Sequence, residues 1–210
     1  MKKYIASIII LILSIALSVI YYPMLPDTMA SHWNASGIAD GFSGKDSNVL
    51  LFPILNAILL VLLFFVPRLD PKYSNILKFE KKFLIFVNSI LAFMVLLQLQ
   101  VFLWNTGTII SMNVLMPIMM GGLFILIGWL LKDAKQNYSI GIRFPWTLNN
   151  EVVWNSTHKF GSKLFMASGL LSIISGIFIP AYSFIILIGS ILIILPVLAT
   201  YSYLEFRKKA

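Results

Sequence analysis

Long charge-free apolar runs alternate with short charge-bearing stretches along the whole chain. Six runs stand out, at Tyr4–Tyr22, Val49–Val66, Phe83–Trp104, Ser111–Leu131, Leu164–Ile179 and Tyr182–Leu204. Each is close to the ~20 residues that an α-helix needs to cross a hydrocarbon core of ~30 Å. Only Pro180-Ala181 separates the last two, but the 41 uncharged residues from Leu164 to Leu204 are too many for one span. Two helices joined by a tight turn fit them better. The pattern predicts an all-α integral membrane protein with six transmembrane helices, a single membrane domain over 1–210 without internal repeat or linker.

Composition agrees, because a chain that is 59% hydrophobic and 11% charged cannot dress a soluble domain of this size with polar surface. The absence of cysteine excludes disulfides, Cys-ligated metals, a lipoprotein anchor and palmitoylation. The net charge of +8 carries no basic stripe with interleaved aromatics, so no direct nucleic-acid partner is expected. Of the sixteen Lys and Arg residues, all but Lys45 fall on one side of a six-span arrangement. The positive-inside rule makes that side cytoplasmic, with both termini inside, loop 23–48 extracellular and loop 132–163 cytoplasmic. The first run follows Lys2-Lys3 as a signal peptide would, but it is long for one, and YYPMLPDTMA offers no small-x-small cleavage site. It reads as an uncleaved anchor.

Within the runs the polar residues are Asn56, Asn88, Gln98, Gln100 and several Ser and Thr, with no Asp, Glu, Lys, Arg or His. Ion-coupled transport normally needs an ionisable group inside the membrane, which speaks against a transporter. Pro53 and Pro117 read as helix breaks, the feature that keeps a small permease or exporter subunit as the alternative. Ser14 and Ser18, and Ser168, Ser172 and Gly176, recur at four-residue intervals and predict close-packing faces.

The outer loop, PMLPDTMASHWNASGIADGFSGKDSN, holds Pro23, Pro26, Gly37, Gly41 and Gly44, which impose turns and exclude a long helix. It reads as a compact, turn-rich lid presenting Asp27, His32, Trp33 and Asp40. His32 has no His or Glu partner at helical spacing, so Asp27, His32, Asp40 and Asp46 do not read as a metal site. Ser31 and His32 are sequence neighbours without a nucleophile elbow, and neither side gathers acid, base and nucleophile. No enzyme activity and no cofactor are expected.

In the inner loop, SIGIRFPWTLNNEVVW, Pro145 holds Phe144 out of helical geometry and predicts an extended segment. Trp146 and Trp154 suit the headgroup region, and Arg143 suits a phosphate or a helix-end carbonyl. Asn149 is the predicted cap of the following helix, with Glu151 in its first turn. Val153, Thr157, Phe160 and Leu164 then recur at spacings of four, three and four, with His158, Lys159 and Lys163 off that face. This predicts an amphipathic interfacial helix running into the fifth span.

Two motifs carry a resemblance. HWNASGIADGFSGK, after a Pro-x-x-Pro turn, resembles the short domain written DUF1648. IGIRFPWTLNNEVVWNSTHKFG resembles the cytoplasmic signature of the SdpI-like membrane proteins, with Ile140-Gly141, Arg143, Pro145-Trp146-Thr147, Trp154, Thr157-His158 and Gly161 in the family's order. The resemblance implies a multi-pass immunity protein of the Gram-positive cell membrane that protects the cell against a secreted, membrane-active peptide toxin. It also implies a sensor that holds a helix-turn-helix repressor at the membrane. On this reading the partners are membrane lipid, the toxin and the repressor. The toxin would meet His32, Trp33, Asn34, Gly37 and Asp40, and the repressor would dock on Arg143, Pro145, Trp146, Thr147, Trp154 and His158.

Overall fold

The computed structural model describes residues 2–209. Its helices are α1 (Ile5–Tyr21), α2 (Lys45–Phe65), α3 (Tyr73–Leu77), α4 (Glu80–Asn105), α5 (Met112–Leu131), α6 (Pro145–Asn149), α7 (Glu151–Phe178) and α8 (Pro180–Lys209). A β-hairpin, β1 (Thr28–Trp33) and β2 (Ala39–Gly44), sits between α1 and α2. Six of the helices, α1, α2, α4, α5, α7 and α8, are long and apolar enough to cross a membrane, as the hydrophobic runs predict. Ile179 alone separates α7 from α8.

The six helices form two three-helix halves, α1–α2–α4 and α5–α7–α8, which meet along α4 and α5. Burial is inverted relative to a soluble bundle, because lipid tails are as apolar as leucine and give apolar side chains no reason to hide. The buried residues of α1 are Ser7, Ser14 and Ser18, while Ile8, Ile9, Ile12 and Val19 face outward. Ser7 Oγ donates to Asn88 Oδ1 at 2.6 Å and Ser14 Oγ to Gln98 Oε1 at 2.6 Å. Gln98 Nε2 returns bonds to Ser14 O and Ser18 Oγ at 3.0 and 2.9 Å, so this polar cluster satisfies itself inside the membrane, whereas buried Asn56 of α2 has no hydrogen-bond partner among the described residues. The seam between α5 and α7 is glycine on glycine. A Cβ on Gly121 would lie 2.6 Å from Gly169 O, and one on Gly169 would lie 2.5 Å from Gly121 O.

Pro53 and Pro117 do not break their helices, contrary to the sequence expectation. A proline lacks the N–H that should bond the carbonyl four residues earlier. In α2 that carbonyl is Val49 O, and Ser18 Oγ of α1 donates to it at 2.8 Å. In α5 it is Asn113 O, and Ser183 Oγ of α8 donates to it at 2.6 Å. A serine from a neighbouring helix replaces the missing donor in both cases, so the helix continues and the helix pair is tied together.

All the contacts between loops respect two ends. At one, Lys3 pairs with Glu80, Arg68 Nη2 donates to Tyr4 Oη at 2.6 Å, and Trp146 Nε1 donates to Ser202 Oγ at 2.8 Å. This basic end gathers the starts of α1, α4 and α7 and the ends of α2, α5 and α8. The hairpin, the α4–α5 turn and the α7–α8 joint lie at the other. Three sequence expectations change. The lid is a hairpin whose turn is a wrapped Asn34, with Oδ1 accepting from Ser36 N at 2.9 Å and Ile38 N at 3.1 Å while Gly37 supplies φ +76°. Val153, Trp154, Thr157 and His158 pack into the protein instead of lying on the interface, although residues 151–163 run into the fifth span within one continuous α7, as expected. Its cap is Asn150 rather than Asn149, accepting from Val152 N and Val153 N at 3.0 and 3.1 Å.

Candidate functional site

Two asparagines fasten the hairpin to the helices, and one of them, Asn48 of α2, donates to Ser43 Oγ at 2.6 Å and Gly44 O at 3.0 Å of β2. Asn105, at the end of α4, accepts from Ala30 N at 2.8 Å and donates to Ala30 O at 3.0 Å, bonding β1 as a neighbouring strand would. Met29 and Ala30 are consequently buried. The base is closed by Lys45 N to Asp27 O at 2.9 Å, with Lys45 Nζ reaching Leu25 O at 3.1 Å. The tip leans toward the second half, and a Cβ on Gly37 would lie 3.0 Å from Asn113 Oδ1.

The five residues singled out in this loop are brought together on the hairpin and its turn. His32 Nδ1 lies 2.6 Å from Asp40 Oδ1 across the two strands, and both side chains are solvent-accessible. Gly41 faces His32 so closely that a Cβ there would lie 2.8 Å from His32 Cβ, which explains a glycine inside β2. Trp33 is half-buried, edge-on to Trp104 with ring centroids 5.5 Å apart. Its indole nitrogen is buried with no acceptor among the described residues. Beneath the hairpin is a cavity of about 240 Å³. Trp33 and Asn34 line it from above, Phe52, Leu97 and Val101 from the first half, and Met116, Phe184 and Leu187 from the second. Sequence reasoning missed Asn105 and these walls, since their partners are far away in the chain.

At the basic end the signature residues build a knot of polar bonds. Asp70 is buried, and its carboxylate accepts from Lys72 N at 2.7 Å, Tyr138 N at 2.8 Å and Ser139 Oγ at 2.6 Å. Gln136 accepts from Lys72 Nζ at 2.5 Å and donates to Thr147 O and Leu148 O at 3.0 and 2.9 Å. Trp154 Nε1 donates to Ala134 O at 2.8 Å, and its ring stacks on His158 at 3.9 Å. His158 Nδ1 faces Trp154 O at 2.8 Å while Nε2 accepts from Ile142 N at 3.0 Å, an arrangement open only to the neutral ring protonated on Nδ1. Gly141, at φ +125°, passes under this stack, where a Cβ would lie 3.1 Å from two atoms of the Trp154 ring.

The six residues expected to form a docking surface therefore separate into two groups. Thr147, Trp154 and His158 are 0%, 0% and 1% exposed and offer no surface to a partner. Trp154 is thus a core residue rather than a headgroup anchor, because its N–H finds a carbonyl inside the knot. Arg143 and Pro145 are exposed, with Arg143 Nη1 donating to Tyr138 O at 2.5 Å. Trp146 is half-buried, stacked on Phe144 with centroids 5.3 Å apart and set against Tyr203 of α8 at 5.4 Å. The buried Asp70 had no signal in the sequence beyond being an acid between two prolines.

Residues 133–202, from the knot through α7 into α8, match the family model described as the SdpI/YfhL protein family. Residues 9–57, comprising most of α1, the hairpin and the first half of α2, match the domain of unknown function DUF1648. Over 210 aligned residues, 99% of this chain and 98% of the relative, the sequence is 29% identical to Immunity protein SdpI of Bacillus subtilis (strain 168). No solved structure matches the chain. Two matched segments, one around the hairpin and one around the basic-end knot, and a relative sharing the whole length make this chain similar to the SdpI-like multi-pass membrane proteins.

Proposed function

We propose that this protein confers immunity, protecting a bacterial cell by capturing a secreted, membrane-active peptide at its hairpin end. The observation that carries the reading is the whole-length likeness to Immunity protein SdpI. The hairpin end supports it physically: a hairpin exposing His32 and Asp40 covers an apolar cavity walled by both helix halves. The crowding of basic residues at the opposite end makes that end cytoplasmic and turns the hairpin to the outside, where a secreted peptide arrives. The reading is of a binding protein rather than an enzyme. Continuous α2 and α5 weaken the permease alternative, which drew on broken helices. The test is expression in a toxin-sensitive strain challenged with membrane-active peptides. Survival that requires the protein supports the reading, and killing at unchanged rates with the protein abundant in the membrane refutes it.

A sensing role draws on the exposed remnant of the signature. Arg143, held by Tyr138 O beside exposed Pro145 and half-buried Trp146, is a pre-ordered contact for a helix-turn-helix repressor. Arg143→Ala is expected to abolish recruitment of the repressor to the membrane while protection survives. If both fall together with protein level, Arg143 serves the fold through Tyr138 O instead.

A further inference from the structure

We infer that the pocket at the basic end, where the start of α4 meets the segment after α5, binds the phosphate headgroup of an anionic phospholipid. The inference stands apart from the immunity reading, because it draws on charge, depth and the surroundings of the pocket.

Charge comes first. The pocket, of about 430 Å³, is lined by Lys78, Lys81 and Lys82 from the first half and Lys135 from the second, against two carboxylates, Glu80 and Asp133. Both carboxylates are engaged, Glu80 by Lys3 and Asp133 by Lys82. Lys81 and Lys135 are exposed and form no ion pair among the described residues. Four cations converging on one pocket repel one another, and an anion placed among them removes that cost. Lys81 and Lys82 also stand in the first turn of α4, where a cation opposes the positive end of the helix dipole, and the cap residue Phe79 gives that turn no side-chain bond. A phosphate answers both.

Depth and surroundings make the anion a lipid. With 26 residues α4 is about 39 Å long against a hydrocarbon core of about 30 Å, so its first turns have the length to reach the headgroup layer. Lys82 Nζ lies 4.2 Å from the ring centroid of Trp129 on α5, and tryptophan is favoured at that level. Ile85, one turn beyond Lys81 on the same face of α4, and Leu77 on the rim are 47% and 46% exposed. An acyl chain covers them while the phosphate meets the lysines, whereas a soluble anion leaves them bare. Basic pockets among membrane helices take anionic headgroups in this way. Because Lys135 belongs to the segment leading into the knot and the other three lysines to the first half, a bound lipid ties the halves together at this end.

The test is native mass spectrometry of the full chain released from nanodiscs of phosphatidylglycerol and phosphatidylethanolamine in equal amounts. Phosphatidylglycerol is expected to be retained in preference to phosphatidylethanolamine. Lys81→Gln combined with Lys135→Gln should weaken its retention about 25-fold, at about fivefold for each lysine. Lys81→Arg combined with Lys135→Arg keeps both charges and should keep the lipid. Lys208→Gln with Lys209→Gln removes the same charge at the end of α8, away from the pocket, and should leave retention unchanged. If the double glutamine variant does not accumulate, the two single variants decide at about fivefold each. An equal loss in the α8 variant overturns the inference, because it shows diffuse attraction rather than a site. So does undiminished retention by the pocket variants, or displacement of the lipid by millimolar glycerol phosphate. Equal retention of the two lipids by the native chain also overturns it and leaves the pocket to an acidic protein segment.

Discussion

Replacing Asp70 with alanine should free the loop between α5 and α7 without unfolding the membrane helices. The Asp70 carboxylate is the point where the loop after α2 holds the loop after α5, through Tyr138 N at 2.8 Å and Ser139 Oγ at 2.6 Å. A hydrogen bond to a charged acceptor contributes about 1.5–3 kcal/mol. Two such bonds lost within one network, where contributions do not simply add, give an expected cost of about 3 kcal/mol. That is a roughly hundredfold increase in the open population of the loop. Hydrogen exchange on the protein in nanodiscs reads this directly. Amides around Tyr138–Ile142 should exchange about a hundredfold faster in Asp70→Ala, with those of α4 and α5 unchanged. Asp70→Asn retains an acceptor oxygen and should fall between. Unchanged exchange at Tyr138 in the alanine variant would refute the assignment of Asp70 as the clasp. A uniform rise across all six helices would also contradict it, showing a global rather than local role.

Ser18→Ala and Ser183→Ala should each destabilise the helix bundle by about 1 kcal/mol, roughly additively because the sites lie in different halves. Adding Pro53→Ala to Ser18→Ala should recover part of the loss, since an N–H at 53 again bonds Val49 O while the Gln98 bond to Ser18 stays lost; detergent-unfolding curves measure this, and no recovery at all would contradict carbonyl capture. Topology is tested by single cysteines introduced into the cysteine-free chain. Positions Ser43 and Ala181 should react with a membrane-impermeant reagent in intact cells, and Lys72 and Lys135 should not.

The six spans are legible in the sequence because hydrophobicity over twenty residues is a local quantity. The seating of the hairpin is not, because β1 pairs locally with β2 but is bonded to the helices by Asn105, 75 positions beyond Ala30. His158 shows why polarity misleads inside this fold: it looks like a surface residue beside Lys159, yet both its nitrogens are satisfied by backbone at a packed helix start. The four-residue spacing of Ser14 and Ser18 did mark a buried face, because small hydroxylated residues are what this bundle turns inward. Trp33 and His32 are neighbours in sequence, and both border the same cavity. The cavity they roof needs α5 and α8, which no local pattern connects to them.

Recognition of a peptide at the hairpin end is tested most directly by His32→Ala combined with Trp33→Ala, assayed for survival under peptide challenge with the membrane level matched by blotting. Truncating a buried aromatic anchor at a binding hot spot costs about 2 kcal/mol or more, so the dose needed to kill should fall by roughly thirtyfold toward that of unprotected cells. Full protection by the double variant at native abundance would contradict capture at the hairpin.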